Sequence, residues 1–472
     1  MTRAEFNRLS VAVLYGSLLP VSVFSSAGTT YQSARPPKAK RKFASKAVDD
    51  FIDEFKAKSK DEELAWMFEN CFPNTLDTTV FFEMKNGVPD TYVITGDIDA
   101  MWLRDSSAQV NPYIEFCAKD EQLSLMIEGL IRRQTQCILL DPYANAFYND
   151  TKRISQWRTD QTEMKPGVHE RKWELDSLCF CIRLAHRYWK ATGNTKMFDA
   201  PWHNAMKLVV KTMKEQQRKT GKGSYSFQRR GGSATDTLKG NGYGNPWKPT
   251  GMVCSAFRNS DDACTYLFNI PENLFAVVSL RQLAEIISQT SKDDLFENEC
   301  KALADEIEAA VQMHGIVNDQ QLGRMYAYEC DGLGNYLLMD DAGVPGLITI
   351  PYLGYGDYTN ELYTNSRKFA LSSANPYFYQ SDIAEGTGSP HLAWKKAEMI
   401  WHLGVVGRAI TATDDAEIKH CINLLKKTHA GKGFMHEGFN KNNPNDFTRH
   451  WFAWVNSFFG ELIVKLYGEG KL

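Results

Sequence analysis

The 472 residues include 54 Lys and Arg against 57 Asp and Glu, so the formal net charge is only −3. Because both signs are interspersed, the sequence offers no extended basic surface for nucleic acid or for an anionic membrane. A 43% hydrophobic fraction with 11 Trp, 20 Tyr and 26 Phe is enough for a large globular core. A chain of this length forms two or three domains, or one large barrel or toroid.

The first 27 residues resemble a secretory signal peptide. Arg3 and Arg8 give a positive start, and an apolar run from Leu9 to Phe24 is followed by small residues at 25–27. The alternative is a cytoplasmic protein with an apolar N-terminal tail. On this pattern we expect secretion or entry into the secretory pathway. No later stretch reaches the roughly 18 consecutive apolar residues of a membrane-spanning helix.

Residues 28–46 form a basic, proline-containing segment, which predicts a flexible and solvated linker. The sequence contains one Asn-x-Ser/Thr site, at Asn149, so an exported chain would carry any N-glycan there.

The ten cysteines are scattered, with no Cys-x-x-Cys pair and no Cys/His cluster at zinc spacing. Cys179 and Cys181 lie two residues apart on a predicted helix, so they point to roughly opposite faces and cannot share a metal. We interpret most of the cysteines as small buried apolar residues. Secretion would allow one or two disulfides.

Residues 47–472 are predicted to form one domain. It begins with helical periodicity and continues with a β-hairpin over 78–94, where β-branched and aromatic runs flank Asn86-Gly87. Helices are then predicted at 105–118, 121–139, 173–191, 199–219, 271–290, 295–313, 391–409, 414–428 and 449–468. Many helices joined by long polar loops favour an all-α repeat or toroid over a parallel sheet.

The segment 95–113 combines three carboxylates, a guanidinium and an indole just before a predicted helix. These are Asp97, Asp99, Trp102, Arg104 and Asp105. Carboxylates that accept hydroxyl hydrogen bonds, beside an aromatic face and a fixed cation, are typical of a sugar site. The alternative is a solvated loop in which Arg104 pairs with an acid.

Acids also cluster in two later segments. Glu174 and Asp176 open a long apolar helix, where the helix dipole alone would favour them. Arg258 is followed by the adjacent pair Asp261 and Asp262. A carboxyl group kept protonated by a like-charged, partly apolar site can protonate a leaving oxygen, although Asp261 could equally cap a helix.

A fourth segment places Glu437 between His436 and a glycine, ahead of an aromatic-rich helix that includes Trp451. Such a glutamate is a candidate base for deprotonating water. The sequence lacks the zinc-protease motif His-Glu-x-x-His, a Gly-x-Ser-x-Gly elbow and a P-loop. His391, in Gly-Ser-Pro-His, is a lesser candidate, and both histidines could equally be structural.

Together these motifs resemble glycoside hydrolase family 125, in the family's order and over roughly residues 50–468. The matching stretches are Gly96–Gln109, Trp173–Cys179, Ser260–Tyr266, Tyr328–Ala342, Gly388–His391 and Met435–Glu437. The resemblance implies an all-α fold, an (α/α)6 barrel with a small β-hairpin and long loops around the active-site mouth. It also implies an exo-acting, inverting α-1,6-mannosidase that needs no metal or other cofactor.

The family's general acid lies in its Ser-Asp-Asp motif and its general base in Met-His-Glu. Carried over, the acid is Asp261 or Asp262 and the base is Glu437. The remaining site residues are expected to bind the mannose hydroxyls, cover a ring face or position neighbouring groups: Asp97, Asp99, Trp102, Arg104, Asp105, Arg258, His391, His436 and Trp451. The chain departs from the family at Asn259, where proline is common, and at 392–396, where a loop rich in proline and glycine is expected.

Two other functions are compatible with the sequence. One is a different (α/α)6 glycosidase or phosphorylase that uses the same two-carboxylate chemistry on another sugar. The other is a catalytically silent glycan-binding protein, although such a protein would not need both acids. If the chain is the α-mannosidase that the family resemblance implies, its expected partner is an α-mannoside. The sequence does not indicate an oligomeric state.

Overall fold

The computed structural model describes residues 31–472, so the predicted signal peptide at 1–27 lies outside the described residues. The helices used below are, in chain order, α1 (Lys46–Lys58), α2 (Glu62–Cys71), α3 (Asn74–Thr78), α4 (Leu103–Val110), α5 (Glu121–Leu140), α6 (Leu175–Thr192), α7 (Ala200–Gln216), α8 (Ile270–Thr290), α9 (Asp294–His314), α10 (Glu361–Ala370), α11 (His402–Ile410), α12 (Asp415–Thr428) and α13 (Ala453–Gly468). Short 3-10 helices cover Lys38–Lys40, Asn111–Lys119 and Pro390–Lys395.

The strands are short and lie in the connections between helices. They are β1 (Val80–Lys85), β2 (Val88–Val93), β3 (Met101–Trp102), β4 (Ala146–Phe147), β5 (Val168–Glu170), β6 (Phe268–Asn269), β7 (Ile316–Asp319), β8 (Gly323–Tyr326), β9 (Glu329–Cys330), β10 (Tyr336–Leu337), β11 (Phe378–Gln380), β12 (Glu385–Thr387), β13 (Met399–Trp401), β14 (Gly438–Asn440) and β15 (Asn443–Thr448). All pairings are antiparallel, in the orders β1-β2, β3-β4-β5, β10-β9-β6, β7-β8, β11-β12 and β13-β14-β15.

An inner ring of helices forms the centre of the fold. Helix α4 packs against α6 and α13, α6 packs against α8, and α11 packs against α13. The sixth member of the ring is a series of turns at 347–353, which lies between α8 and α11. Thr349 contacts Gly407 of α11, and Gly354 contacts Val278 of α8. These six members close into a ring, with the C-terminal α13 beside α4.

A second layer of helices covers this ring: α5 packs against α6 and α7, α9 against α8, α12 against α11, and α2 against α13. Burial follows the layers. In α8 the apolar side chains are buried on nearly every side, whereas α9 buries one stripe that includes Phe296, Cys300 and Ile307. An all-round apolar helix belongs inside a fold and an amphipathic helix at its surface. The predicted all-α (α/α)6 architecture is confirmed.

The predicted hairpin at 78–94 is confirmed as β1 and β2, and its turn shows why. Asn86 and Gly87 have φ values of 53° and 80°, the left-handed conformation that a tight hairpin turn requires and that Asn-Gly adopts at low cost. All ten cysteines are buried and free, in agreement with their reading as small apolar residues. Within residues 31–472, none of the helices combines the length and apolar character needed to cross a bilayer.

Two predicted helix boundaries are wrong. The helix predicted over 391–409 is instead a 3-10 helix, a left-handed residue at Lys396 with φ 52°, strand β13 and then α11. The apolar run at 399–401 pairs with β14 and is buried as a strand. The helix predicted from 449 begins only at Ala453, because Arg449 has φ 53° and cannot start a right-handed helix.

Residues 31–45 pack on the domain, where the sequence pattern predicts a solvated linker over 28–46. The guanidinium of Arg35 lies 2.8 Å from Asp77, whose side chain is only 2% exposed, and 2.8 Å from Asp49. Phe43 is buried, and the Trp66 indole donates a hydrogen bond to the Gln32 carbonyl. Arg35 and Arg41 therefore neutralise the buried carboxylate of Asp77, whereas Lys38, Lys40 and Lys42 are exposed.

Candidate active site

The candidate residues lie where the inner helices begin. Trp102 precedes α4, with Arg104 and Asp105 in its first turn, and Glu174 precedes α6, with Asp176 in its first turn. Because the unpaired amides at a helix start favour negative charge, this end of the ring stabilises carboxylates. Short strands such as β3 and β5 lead the chain into these starts and fix where the side chains emerge.

Arg104 links several of these acids. Its side chain is 3% exposed, and its Nη1 donates to Glu174 Oε2 at 2.7 Å and lies 3.4 Å from Asp176 Oδ2. Its Nη2 lies 3.4 Å from Asp261 Oδ1, and its Nε lies 3.6 Å from Asp105 Oδ2. One guanidinium thus serves four carboxylates from three segments of the sequence.

A surplus of buried carboxylates changes their proton affinity. Burial raises the pKa of Glu174 well above its usual range, although Arg104 opposes this shift. Burial also raises the pKa of Asp176 to about 6, again against the charge of Arg104. The pKa of Asp105 is raised for the same reason, and the charge of Asp261 adds to that shift. This cluster therefore holds protons more readily than exposed acids do.

Asp261 lies in a strained turn that follows α7 and precedes β6. Its φ is 66°, its amide donates to the Arg258 carbonyl at 2.9 Å, and its own carbonyl accepts from Lys172 Nζ at 2.8 Å. Its side chain is 24% exposed. A non-glycine residue held in the left-handed region by its surroundings is a common feature of functional sites.

Asp262 is directed differently. It is only 1% exposed, its Oδ1 lies 3.2 Å from His391 Nδ1, and its Oδ2 has no hydrogen-bond partner among residues 31–472. His391 therefore contacts one of the two candidate aspartates. Arg258, by contrast, donates to the buried Glu329 at 2.6 Å, which places its guanidinium in an internal ion pair.

Glu437 precedes β14 and lies 3.6 Å from the Nε of Arg449. Arg449 also contacts Asp97 Oδ1 at 3.4 Å. Burial lowers the pKa of Arg449, but the charges of Glu437, Asp97, Asp105 and Asp261 outweigh burial and raise it. Carboxylates from both candidate catalytic segments thus act on one guanidinium.

His436 contacts the backbone of Arg449. Its Nδ1 donates to the Arg449 carbonyl at 2.9 Å, and its ring stacks on Phe447 with 3.9 Å between centroids. Burial lowers the pKa of His436 to about 4, so the ring is neutral near pH 7. The structure places this histidine as packing for the Arg449 turn, with its Nε2 unpartnered within the described chain.

The other predicted residues occupy distinct surroundings. Asp99 is 68% exposed and pairs with Arg153 at 2.6 Å, and Trp102 is buried in a small cluster with Tyr148. Trp451 is half-buried and lies over Gly96, where a Cβ would come within 2.9 Å of the indole. Gly96 therefore has to be glycine for the indole to approach the Asp97 loop.

Three residues of this region were not among the predicted site residues: Arg449, described above, Lys172 and Glu272. Lys172, 1% exposed, binds the Asp261 carbonyl, and Glu272 at the start of α8 has both carboxylate oxygens without a hydrogen-bond partner in the described part of the chain. Burial and the nearby charge of Asp176 raise the pKa of Glu272 well above its usual range. A basic residue within the acid-rich 170–176 stretch was the available signal for Lys172, whereas Glu272 resembles any helix-start acid.

Among residues 31–472, no group of three or more His, Cys, Asp or Glu side chains is arranged to hold a metal ion. Surface pockets of about 450 and 680 Å³ are lined by other residues, on the α8–α9 face and beside α1. Neither pocket includes the candidate carboxylates.

A two-layer helical toroid with carboxylates at the starts of its inner helices defines an (α/α)6 glycoside hydrolase. A family profile described as metal-independent alpha-mannosidase, GH125, matches residues 61–464. The chain therefore belongs to this family of α-mannosidases.

Two relatives are similar to this chain over most of their length. The "Meiotically up-regulated gene 157 protein" of Schizosaccharomyces pombe is 37% identical over 450 residues, which cover 92% of this chain and 88% of that protein. A Streptococcus pneumoniae metal-independent α-mannosidase, solved as a non-productive substrate complex with α-1,6-mannobiose, is 38% identical with a TM-score of 0.85. That match covers 90% of this chain and 99% of the other.

More distant structures share the fold alone. A bacterial glucoamylase complexed with acarbose superposes with a TM-score of 0.51 at 12% identity, covering 88% of this chain and 57% of that one. A GH78 rhamnosidase of Bacillus sp. GL1 superposes with a TM-score of 0.51 at 14% identity, and the match covers 86% of this chain and 35% of that one.

Proposed function

We propose that the chain is an inverting, exo-acting α-1,6-mannosidase that removes terminal α-1,6-linked mannose from mannans or N-glycans. The family supplies the α-mannoside, and the complex of the Streptococcus pneumoniae relative with α-1,6-mannobiose supports the choice of linkage. The observation that carries the mechanism is that one short helix, Pro390–Lys395, joins the two acids: His391 Nδ1 lies 3.2 Å from Asp262, and Leu392 packs over Gly438, the residue after Glu437. Acids far apart in sequence thus belong to one site.

In this mechanism an aspartic acid protonates the glycosidic oxygen while Glu437 removes a proton from a water molecule. The water attacks the anomeric carbon from the face opposite the leaving oxygen, so the bond to that oxygen breaks with inversion. Inverting pairs need about 6.5–9.5 Å between their carboxyl groups to accommodate the water. The guanidinium of Arg449 lies 3.6 Å from the carboxyl group of Glu437 and so places a positive charge beside it.

We assign the acid to Asp261 and a supporting role to Asp262. The Asp261 side chain is 24% exposed and so reaches a substrate, whereas Asp262 is 1% exposed with one oxygen on His391. In this arrangement Asp262 fixes the imidazole of His391.

The base is tested by Glu437→Gln on α-1,6-mannobiose. We expect kcat to fall at least about 10²-fold, since the amide cannot accept the water's proton. Glu461→Gln is the matched control, because Glu461 is 12% exposed and pairs with Arg187 at 3.4 Å, much as Glu437, 10% exposed, pairs with Arg449 at 3.6 Å. Near wild-type turnover by Glu437→Gln would remove the base assignment.

The acid is tested by comparing two leaving groups. Asp261→Asn should lower kcat on α-1,6-mannobiose at least about 10²-fold but affect α-mannosyl fluoride far less, because fluoride departs with little protonation. Asp262→Asn should lower both rates by similar factors. The reverse pattern would exchange the two roles.

Anomer-resolved NMR of the first product separates the remaining alternatives. Inversion of an α-1,6-mannobiose gives β-mannose before mutarotation, whereas phosphate-dependent cleavage would give mannose 1-phosphate. Binding of the mannobiose by calorimetry without any product would instead indicate a silent glycan-binding protein.

We also propose entry into the secretory pathway, which residues 1–27 predict. In support, Asn149 is exposed in the loop that follows β4, as an N-glycan acceptor has to be. Expression of the full chain in a eukaryotic secretory host, followed by N-glycosidase treatment, should shorten the secreted protein on a gel, and Asn149→Gln should abolish that shift.

A further inference from the structure

The 3-10 helix Pro390–Lys395 carries a tryptophan next to the candidate acids. In a 3-10 helix, side chains three residues apart eclipse each other, and each residue rises about 2 Å. His391 and Trp394 therefore lie on one face of this helix, about 6 Å apart along its axis. Since His391 Nδ1 lies 3.2 Å from Asp262, Trp394 stands one turn beyond the acid pair.

Contacts on both sides hold this helix in place. Leu392 is 2% exposed and packs over Gly438, where a Cβ would lie 2.5 Å from its Cδ1. Gly438 is the residue after Glu437. Lys395 Nζ forms an ion pair with Asp446 of β15 at 2.6 Å. The helix is thus fixed between the segment that bears the acids and the segment that bears the base.

The Trp394 indole is nevertheless 55% exposed. The flat face of an indole offers a large apolar surface at low conformational cost, and it suits the C–H face of a pyranose ring.

We propose that Trp394 forms the binding surface for the sugar on the leaving-group side of the scissile bond. The proposal rests on the exo-α-1,6-mannosidase function given above. The general acid protonates the glycosidic oxygen, so the departing sugar lies on the acid's side of the site. Trp394 lies on this side of the site, one turn of the 3-10 helix beyond His391 and its contact with Asp262. The ligand class is a mannosyl unit of the chain that remains after the terminal residue leaves.

The test compares a substrate that reaches Trp394 with one that does not. Trp394→Ala should lower kcat/KM for α-1,6-mannobiose about tenfold relative to kcat/KM for α-mannosyl fluoride, with most of the loss in KM. Trp394→Phe should recover most of the ratio, because an aromatic face remains. Leu295→Ala is the control, since Leu295 is 85% exposed on α9 and should leave both substrates unchanged.

Two results overturn the proposal. An unchanged ratio in Trp394→Ala, or equal losses on both substrates, would show that the indole does not bind the leaving sugar while leaving the mannosidase function intact. Failure of the unsubstituted protein to cleave α-1,6-mannobiose while it cleaves the fluoride would refute the proposed linkage, and with it this assignment.

Discussion

Arg104 and Arg449 both contact candidate catalytic carboxylates, but their surroundings differ. Arg104 is 3% exposed and lies among four acids, of which Glu174 and Asp176 have no exposed surface. Arg449 is 24% exposed and contacts Glu437 and Asp97, the latter half in solvent. A buried guanidinium that serves several acids is indispensable to the fold, whereas one at the opening can adjust to a ligand.

The two sides also differ in how they hold protons. Around Arg104, burial raises the pKa of Asp176 to about 6, so the folded state gains a proton that the unfolded state releases. Around Arg449, burial lowers the pKa of His436 to about 4, so the folded state excludes a proton that the unfolded state accepts. Folding therefore shifts the pKa values of these two buried groups in opposite directions.

The largest expected effect is that of Arg104→Met. It leaves Glu174 and Asp176 buried without their cation, so the free energy of unfolding should fall by about 3–5 kcal/mol at pH 7. Urea unfolding of the variant measures this. Arg153→Met is the control, because Arg153 and Asp99 are 46% and 68% exposed and their pair should contribute no more than about 1 kcal/mol. Similar losses in both variants would contradict the distinction between the two arginines.

Lys172→Met should act mainly on catalysis. Lys172 Nζ holds the Asp261 carbonyl at 2.8 Å in a turn with φ 66°, so its loss should misplace the acid and lower kcat on α-1,6-mannobiose about 10²-fold. Because a good leaving group needs little protonation by the acid, kcat on α-mannosyl fluoride should fall much less.

Lys214→Met, which removes only an exposed pair with Glu299, is the matched control for Lys172→Met. Equal losses on the two substrates would indicate general damage, since Lys172 also neutralises Asp236 inside the protein at 3.2 Å.

Much of the fold was predictable because local rules and tertiary structure agree. The Asn86-Gly87 turn and the Asp120 side chain that caps α5 through the Leu123 amide are signals within four residues of sequence. The helix predicted at 391–409 failed because the apolar residues 399–401 fit a buried strand as well as a helix. Periodicity over so short a run cannot distinguish the two.

The site was predictable as a set of acids but not as a geometry. Asp261, Asp262 and Glu437 were named from motifs, yet the Arg104–Asp261 contact spans 157 residues and depends on the closed ring. The same holds for Lys172, whose partner is a backbone carbonyl that leaves no trace in the sequence. Arg258 carried the right charge for a ligand, but the fold turns it towards Glu329.

The opposite pKa shifts of Asp176 and His436 predict opposite contributions to the pH dependence of stability. Asp176 has a folded pKa of about 6 against about 3.9 unfolded, so its contribution to stability is lost as pH rises from about 4 to 6. His436 has a folded pKa of about 4 against about 6.5 unfolded, so its contribution is lost as pH falls from about 6.5 to 4.

Unfolding free energies of Asp176→Asn and His436→Gln between pH 4 and 7 check this. Relative to the unsubstituted protein, Asp176→Asn should gain stability with rising pH and His436→Gln should gain it with falling pH, each by about 2 kcal/mol across its window. Parallel curves for all three proteins would show that neither group titrates differently on folding.

The smallest expected effect separates two acids of one loop. Asp97 and Asp99 are both more than half exposed, but Asp97 pairs with Arg449, which contacts Glu437, while Asp99 pairs with Arg153. Loss of the Asp97 charge leaves Arg449 free to bind Glu437 more tightly, so Asp97→Asn should change kcat/KM for α-1,6-mannobiose a few-fold, within the range of about 1 kcal/mol for exposed pairs. Asp99→Asn should change it by less than twofold. A larger loss from Asp99→Asn would mean that Asp99 leaves Arg153 to bind the sugar itself, as the sequence first predicted, and that the opening rearranges around its substrate.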